Sequence, residues 1–212
     1  MPQHEIEVTW SVNYETQGPE DAEEMWLLLH GYQQRGSVVL EKLKPYCPDS
    51  VRLVAPDAPF PAPHQSAAGW RMGFAWYLFD PATQIYHVPM EPAVALLRAF
   101  VAGIRGRARR IRVIGYSQGG YLAPFAARAL TNIVQAVGIN CRFRDESLKE
   151  ILPFPLDAVH GKRDALVDLA RSMQSHGQLL KIGNTGRFVT VEQAGHGIND
   201  AIGTAFRSLT RA

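Results

Sequence analysis

Apolar and polar residues along this chain of 212 residues follow two patterns, one typical of strands and one typical of helices. Short apolar runs and period-two alternation predict strands, whereas apolar residues three or four positions apart predict amphipathic helices. The strand pattern covers residues 5–12, 25–30, 51–55, 111–116, 134–139, 155–160 and 187–192. The helical pattern covers residues 35–45, 91–106, 118–131, 163–176 and 197–210. Together they predict an α/β fold, a mostly parallel central sheet with helices on both faces.

The first two predicted strands differ in pattern. Residues 26–29, Trp-Leu-Leu-Leu, are continuously apolar, as expected of a strand that is buried on both faces. Ile6, Val8 and Trp10 instead alternate with polar residues. That alternation favours an antiparallel strand at an edge of the sheet.

Residues 56–90 interrupt the alternation and are predicted to form a long segment with little regular structure. Loops of that length in compact proteins are usually functional or disordered. This one is rich in aromatic side chains, which favours order because such rings need burial against other groups. The rings form either an apolar wall over an active site or a cap on the core, and they belong to Phe60, Trp70, Phe74, Trp76, Tyr77, Phe79 and Tyr86.

Length and charge limit the possible functions. The chain contains no repeat, linker or low-complexity segment, so we expect one domain over residues 1–212. A formal net charge of +2 gives no reason to expect nucleic acid as a partner. Residues 105–112 form a basic run, which is either a phosphate-binding patch or a solvated helix end that leads into a strand. We favour the second interpretation.

The sequence shows no membrane-spanning, secretory or metal-binding pattern. No apolar stretch approaches the roughly 18 residues that a spanning helix needs. Residues 1–7 lack the basic and apolar regions of a secretory signal. Cys47 and Cys141 are too few for a disulfide framework and are not spaced as metal ligands. We therefore expect a cytoplasmic protein with no stable membrane insertion and no metal.

The segment 115–119, Gly-Tyr-Ser-Gln-Gly, follows the apolar run 111–114. It matches the Gly-x-Ser-x-Gly nucleophile elbow, in which a strand turns sharply into a helix and exposes a serine hydroxyl. Glycine is needed at both flanking positions because a side chain there would collide with the strand or the helix. Ser117 is therefore the candidate nucleophile, and Pro124 is expected to disturb the helix that follows it.

An elbow serine needs a base that takes its proton and an acid that orients the base, in the chain order Ser, Asp or Glu, His. Asp164 lies just after the predicted strand 155–160 and is the better-placed acid, although helix N-capping also suits its position. Asp157 lies inside that strand, and Asp168 lies farther along the chain. His196 lies between two glycines after the last predicted strand, which makes it the candidate base.

Two backbone N–H groups are candidates for stabilising the negative charge of a tetrahedral intermediate. The residue after the nucleophile, Gln118, supplies one donor at the start of a helix. The second is expected from the loop after an early central strand, where Gly31 lets the chain bend and Tyr32 follows. No histidine or cysteine cluster predicts a metal centre.

These residues resemble the phospholipase/carboxylesterase family of α/β hydrolases, which includes acyl-protein thioesterases and small bacterial carboxylesterases. The matching segments are residues 29–32, 55–56, 70–80, 115–120, 160–164 and 195–196. The resemblance implies a single-domain serine esterase without a large lid or a cofactor, with Ser117, Asp164 and His196 as its triad. It also implies that the aromatic loop helps to bind the acyl group, through Trp70, Met72, Phe74 and Trp76. Residues 139–145, Ile-Asn-Cys-Arg-Phe-Arg-Asp, depart from the Ser-Gly pair and longer segment usual in the family.

The expected function is a carboxylesterase that hydrolyses small-molecule esters through an acyl-enzyme intermediate. Thioesterase or lysophospholipase activity with the same triad is the nearest alternative. A hydrolase fold that has become a binding protein without catalytic activity is another alternative, against which the complete set of candidate residues argues. A nucleic-acid-binding module would rest on the basic run alone.

Overall fold

A seven-stranded sheet forms the centre of the computed structural model, which describes residues 9–211. Its strands, and those of three small two-stranded sheets, are β1 Tyr14–Gln17, β2 Glu24–Leu29, β3 Arg52–Pro56, β4 Phe60–Pro61, β5 His64–Ser66, β6 Gly69–Arg71, β7 Phe74–Ala75, β8 Leu78–Asp80, β9 Ile85–Val88, β10 Arg110–Tyr116, β11 Ile133–Ile139, β12 Leu156–Gly161 and β13 Phe188–Val191. The helices are α1 Gly36–Leu43, followed by a 3-10 turn at Lys44–Tyr46, α2 Glu91–Ile104, α3 Gln118–Arg128, α4 Leu169–Lys181 and α5 Asp200–Thr210.

The sheet is parallel except at one edge. Its strand order is β1-β3-β2-β10-β11-β12-β13, and β1 alone pairs antiparallel, with β3. The carboxyl ends of β2, β10, β11, β12 and β13 therefore meet at the same edge of the sheet. Ligand sites of open α/β sheets form at that edge.

Helices cover both faces of the sheet, as the sequence predicts. Successive residues of a strand point to opposite faces, so Leu27 and Leu28 of β2 belong to two different apolar cores. The first core includes buried residues of α2, α3 and α4, and the second includes buried residues of α1 and α5. The α/β-hydrolase arrangement expected from the resemblance is therefore present.

The antiparallel edge strand lies later in the chain than predicted. The predicted strand 5–12 is wrong for residues 9–12, which are not in a strand, and residues 5–8 lie outside the described residues. Strand β1 forms instead at Tyr14–Gln17, where all four residues are exposed. Main-chain pairing with β3 holds this strand, together with a hydrogen bond of 2.9 Å from Thr16 Oγ1 to Leu53 O. An exposed strand of this kind needs no apolar alternation.

Helix α4 begins later than predicted, and helix α3 continues through its proline. Helix α4 begins at Leu169 and not at residue 163, because Asp168 accepts the N–H of Arg171 at 2.6 Å and caps it. The N-cap role considered for Asp164 is therefore wrong. Helix α3 continues through Pro124 to Arg128, so the proline does not end it.

Residues 56–90 contain more regular structure than predicted. Strand β4 pairs with β7, β5 with β6 and β8 with β9, each pair antiparallel. Strands of two to four residues are too short to show a hydrophobic period in the sequence. The aromatic residues of the segment differ in burial: Trp76 is fully buried, whereas Trp70 is 73% exposed at the hairpin of β5 and β6.

Part of the basic run 105–112 forms a polar network at the amino end of the sheet. Arg110 and Arg112 both form ion pairs with Glu24 of the neighbouring strand β2, and Arg112 also donates to Gln135 of β11. These contacts lie at the opposite end of β10 from Ser117. Within residues 9–211, no helix has the length and apolar content needed to cross a bilayer.

Candidate active site

Ser117 occupies a strained turn between β10 and α3. Its φ is +50° and its ψ is −118°, a conformation that L-residues rarely adopt. The two flanking glycines are required by close backbone approach. A Cβ atom on Gly115 would lie 2.1 Å from the carbonyl oxygen of Gly119, and one on Gly119 would lie 2.3 Å from that of Leu29. The turn thus brings the start of α3 against the end of β2.

Ser117, His196 and Asp164 form a continuous chain of hydrogen bonds. His196 Nε2 lies 3.0 Å from Ser117 Oγ, and His196 Nδ1 lies 2.8 Å from Asp164 Oδ2. An ionised carboxylate only accepts hydrogen bonds, so Nδ1 carries the proton and Nε2 is free to accept the serine hydroxyl. The three residues come from the carboxyl ends of β10, β12 and β13.

Backbone N–H groups hold the Asp164 carboxylate in place. Its Oδ1 accepts the N–H groups of Leu166 and Val167, each at 2.9 Å, while Oδ2 faces His196. Burial acts to raise the pKa of Asp164, but the hydrogen bonds from Val167, His196 and Leu166 outweigh it and lower the pKa below its usual value. The carboxylate is therefore ionised at neutral pH although its side chain is fully buried.

A second histidine, His160, contacts the same carboxylate. Its Nε2 lies 3.3 Å from Asp164 Oδ2 and 3.1 Å from the carbonyl oxygen of Val167. Burial lowers the pKa of His160 below its usual value, so the ring is neutral at pH 7 and its N–H is available to these acceptors. No motif in the sequence indicates this contact.

Asn140 links the loops that carry the acid and the base. Its Oδ1 accepts the N–H of Gly161 at 2.8 Å, and its Nδ2 donates to the carbonyl oxygens of His196 and, at 3.2 Å, of Gly195. The residue is fully buried and has a φ of +49°. Sequence reasoning missed it, although an asparagine directly after a buried strand tolerates the left-handed conformation that a sharp turn requires.

Tyr32 and Gln118 both lie at the cavity beside Ser117. Neither backbone N–H takes part in a hydrogen bond within residues 9–211. The Gln118 side chain has a further contact that the sequence did not predict. Its Oε1 accepts the N–H of Trp76 at 2.9 Å, and its Nε2 donates to the carbonyl oxygen of Tyr77 at 2.9 Å. This amide fixes the aromatic segment to the start of α3.

Buried His30 stabilises the loop that carries Tyr32. Its Nδ1 donates to the carbonyl oxygen of Gly31 at 2.7 Å, and its Nε2 accepts the N–H of Ala58 at 3.0 Å. The indole N–H of Trp76 donates to the His30 carbonyl oxygen at 2.9 Å. Burial lowers the pKa of His30 to about 4, so the ring is neutral. His30 thus acts as a neutral structural group.

A cavity of about 790 Å³ opens beside Ser117, and part of its wall comes from the aromatic segment 56–90, as one of the two interpretations of that segment predicts. Its aromatic lining comes from Tyr77, Phe79, Tyr86, Tyr121 and Tyr32. None of the four residues that the resemblance predicts for acyl binding lines this cavity, and their role in binding stays a prediction. Trp76 is fully buried, and Phe74 packs against Arg35. Trp70 and Met72 are exposed to solvent.

Among residues 9–211, no group of three or more His, Cys, Asp or Glu side chains is arranged to hold a metal ion.

Comparisons with known proteins agree with this fold. The family model for phospholipases and carboxylesterases matches residues 14–205. Among solved structures, maize (Zea mays) acyl-protein thioesterase 2 has a TM-score of 0.75 at 19% identity, covering 92% of this chain and 96% of its own. Esterase PE8 has a TM-score of 0.72 at 19% identity, covering 94% and 97%. A Bacillus cereus carboxylesterase has a TM-score of 0.70 at 15% identity, covering 93% and 92%. A search of curated proteins found no match.

Gly119→Ala tests the close packing at the elbow. The added Cβ would overlap the carbonyl oxygen of Leu29, so we expect the free energy of unfolding to fall by about 2 kcal/mol or more. Urea unfolding followed by circular dichroism measures it. Gly177→Ala is the matched control, because Gly177 lies inside α4 with no atom within 4 Å of the added Cβ. That substitution should raise the free energy of unfolding by about 0.5–1 kcal/mol. Equal effects of the two substitutions would contradict the account.

The low pKa of His30 predicts how stability changes with pH. Between pH 6.5 and about 4 the unfolded chain binds a proton at this residue that the folded chain does not, so stability falls as the pH falls through this range. At pH 5 the loss from His30 is about 2 kcal/mol relative to pH 7.5. The variant His30→Gln should have a correspondingly smaller pH dependence of its unfolding free energy. An unchanged pH dependence would exclude a neutral, buried His30.

Proposed function

This chain belongs to the phospholipase/carboxylesterase family, and we propose that it is a serine carboxylesterase that hydrolyses esters through an acyl-enzyme intermediate. The observation that carries the proposal is the hydrogen-bonded chain from Ser117 through His196 to Asp164 at a cavity. A binding protein would need neither the strained serine nor the oriented imidazole. The proposed roles are nucleophile for Ser117, general base and acid for His196, and orienting carboxylate for Asp164.

Acylation begins when the ester carbonyl carbon lies next to Ser117 Oγ. His196 Nε2 takes the hydroxyl proton as Oγ attacks the carbon, and the imidazole becomes a cation. Asp164 stabilises that cation and keeps the ring in the orientation that its Nδ1 contact defines. The two backbone donors to Asp164 Oδ1 keep the carboxylate ionised and fixed throughout this step.

The attack places negative charge on the former carbonyl oxygen. We propose that the backbone N–H groups of Tyr32 and Gln118 donate to this oxygen, since both residues lie beside Ser117 and both N–H groups are free within residues 9–211. The Gln118 N–H also lies at the N-terminus of α3, where the helix dipole favours negative charge. Loss of one such donor typically lowers turnover by about 10²–10³-fold.

The intermediate then collapses and releases the alcohol. His196 Nε2 gives its proton to the leaving alkoxide oxygen as the bond from that oxygen to the carbonyl carbon breaks. A water molecule then attacks the acyl-enzyme, with His196 taking its proton, and the proton returns to Ser117 Oγ as the acid leaves.

Thioester or long-chain lysolipid hydrolysis would use the same residues, but the cavity supports short, polar esters better. Arg142, Arg144 and Glu146 contribute charged side chains to its wall. A long alkyl chain laid along these groups would displace water without replacing its hydrogen bonds, which is unfavourable.

Ser117→Ala tests the nucleophile. We expect turnover of p-nitrophenyl butyrate to fall by about 10⁴-fold or more, because the remaining groups cannot form an acyl-enzyme. A fluorophosphonate probe should label the unsubstituted protein at Ser117 and leave the variant unlabelled. Ser208→Ala, an exposed serine on α5, is the matched control and should keep both activity and labelling. Retention of full activity by the Ser117 variant would refute the proposed function.

A further inference from the structure

Three arginine side chains line the cavity beside Ser117. Arg142 and Arg144 come from the segment after β11, in the region where the sequence departs from the family pattern. Arg171 comes from the first turn of α4. Two carboxylates, of Glu146 and Asp168, also line the cavity. The charged lining therefore has an excess of positive charge, which is unusual for a site that would bind only an apolar chain.

Arg142 and Arg144 are held in fixed positions. Arg142 donates from Nη1 and Nη2 to the two oxygens of Glu146, each at 2.7 Å, and Nη1 lies 3.3 Å from Asp145 Oδ1. Arg144 Nε donates to Glu146 at 3.0 Å, and its guanidinium lies over the Tyr86 ring, 4.9 Å from the centroid. Their side chains are only 13% and 20% exposed. The pair is thus preorganised, so a ligand would not have to order it.

Glu146 is shared between these two guanidinium groups. Its hydrogen bonds with Arg142, and in smaller part Arg144, hold the pKa of its carboxyl well below the usual range, so the carboxylate stays ionised. Asp145 forms a second, longer ion pair with Arg142, and together these contacts use only part of the five N–H donors of each guanidinium group. Donor capacity of the planar guanidinium groups therefore remains for an anion that enters the cavity.

Arg171 differs from this pair because its guanidinium has no ion pair or hydrogen bond within residues 9–211. The nearest carboxylate along the chain, Asp168, already caps α4 by accepting the Arg171 backbone N–H. The side chain is exposed and lies at the positive end of the helix. It is long enough to move over a ligand that occupies the cavity.

We propose that the substrate of this site is an ester that also carries an anionic oxygen group, a carboxylate or a phosphate, and that Arg171 binds this group together with the Arg142–Arg144 pair. The inference rests on the proposed esterase function, because it concerns the substrate of the same cavity. Arg171 is the specificity-determining residue in this scheme. Ser117 and His196 carry out the same chemistry on charged and neutral esters.

Pairs of esters that differ only by a carboxylate in place of a methyl group test the proposal. Monomethyl glutarate and methyl pentanoate form an acyl-side pair, and 4-acetoxybenzoate and 4-methylphenyl acetate form an alcohol-side pair. Within the pair that fits the cavity, we expect kcat/KM to be about tenfold higher for the anionic ester, since charge-assisted hydrogen bonds are the strong ones. High salt should reduce this preference. The two pairs identify the side of the ester that carries the charge.

Arg171→Gln should reduce the preference for the anionic ester by about tenfold, and Arg171→Lys should restore part of it. Lys181→Gln is the matched control, because it removes one positive charge from the other end of the same helix. It should leave the preference unchanged. A lack of preference in both ester pairs, or an equal preference in the Arg171→Gln and Lys181→Gln proteins, would overturn the inference even where Ser117→Ala abolishes hydrolysis.

A measurement of anion binding tests this inference independently of the proposed esterase function. Titration calorimetry with glutarate and with inorganic phosphate should detect binding to the unsubstituted protein that Arg171→Gln weakens by about tenfold. The ligand that binds more tightly shows whether the site prefers a carboxylate or a phosphate. If no ester is hydrolysed and no probe labels Ser117, the esterase proposal fails, and this titration still decides whether the cavity binds an anion. No binding of either ligand would refute the anion site.

Discussion

The backbone strain at Ser117 is the constraint on which the rest of the site depends. A positive φ at a non-glycine residue persists only where the surrounding structure holds it in place. Here the two neighbouring glycines let α3 approach β2 so closely that any Cβ would overlap a carbonyl oxygen. The buried parallel sheet fixes both sides of this contact. In return, the turn brings the serine hydroxyl and the first N–H of α3 to the cavity.

Hydrogen bonds between buried groups fix the positions of the loops at the ends of the neighbouring strands. Asn140 joins the loops after β11, β12 and β13, and His30 joins the loop after β2 to the one after β3. The Gln118 amide then ties the aromatic segment to α3. Each of these groups has both donor and acceptor contacts, so none is buried at the expense of an unpaired group. The loops therefore keep fixed positions although they lie outside the sheet.

Periodicity predicted the buried part of the fold, and local chain contacts determined the rest. A continuous apolar run such as that of β2 identifies a strand, because a strand that is buried on both faces has apolar residues at successive positions. Other features depend on hydrogen bonds of the main chain, which constrain residue type only weakly. They are the exposed β1 strand, the short two-stranded sheets between residues 60 and 88, and the start of α4 at the Asp168 cap. The candidate triad could be predicted from motif order. The contacts of Asn140 and the cavity wall depend on how loops pack in three dimensions.

A crystal structure of the protein after reaction with an alkyl fluorophosphonate would test whether Ser117 is the nucleophile and whether Tyr32 and Gln118 donate to the oxyanion. Such a phosphonate stands in for the tetrahedral intermediate, and its phosphoryl oxygen takes the place of the oxyanion. We expect a covalent bond from phosphorus to Ser117 Oγ, with the phosphoryl oxygen about 2.7–3.1 Å from the backbone nitrogens of Tyr32 and Gln118. A phosphoryl oxygen turned away from both nitrogens, or a phosphonate attached to another residue, would contradict it.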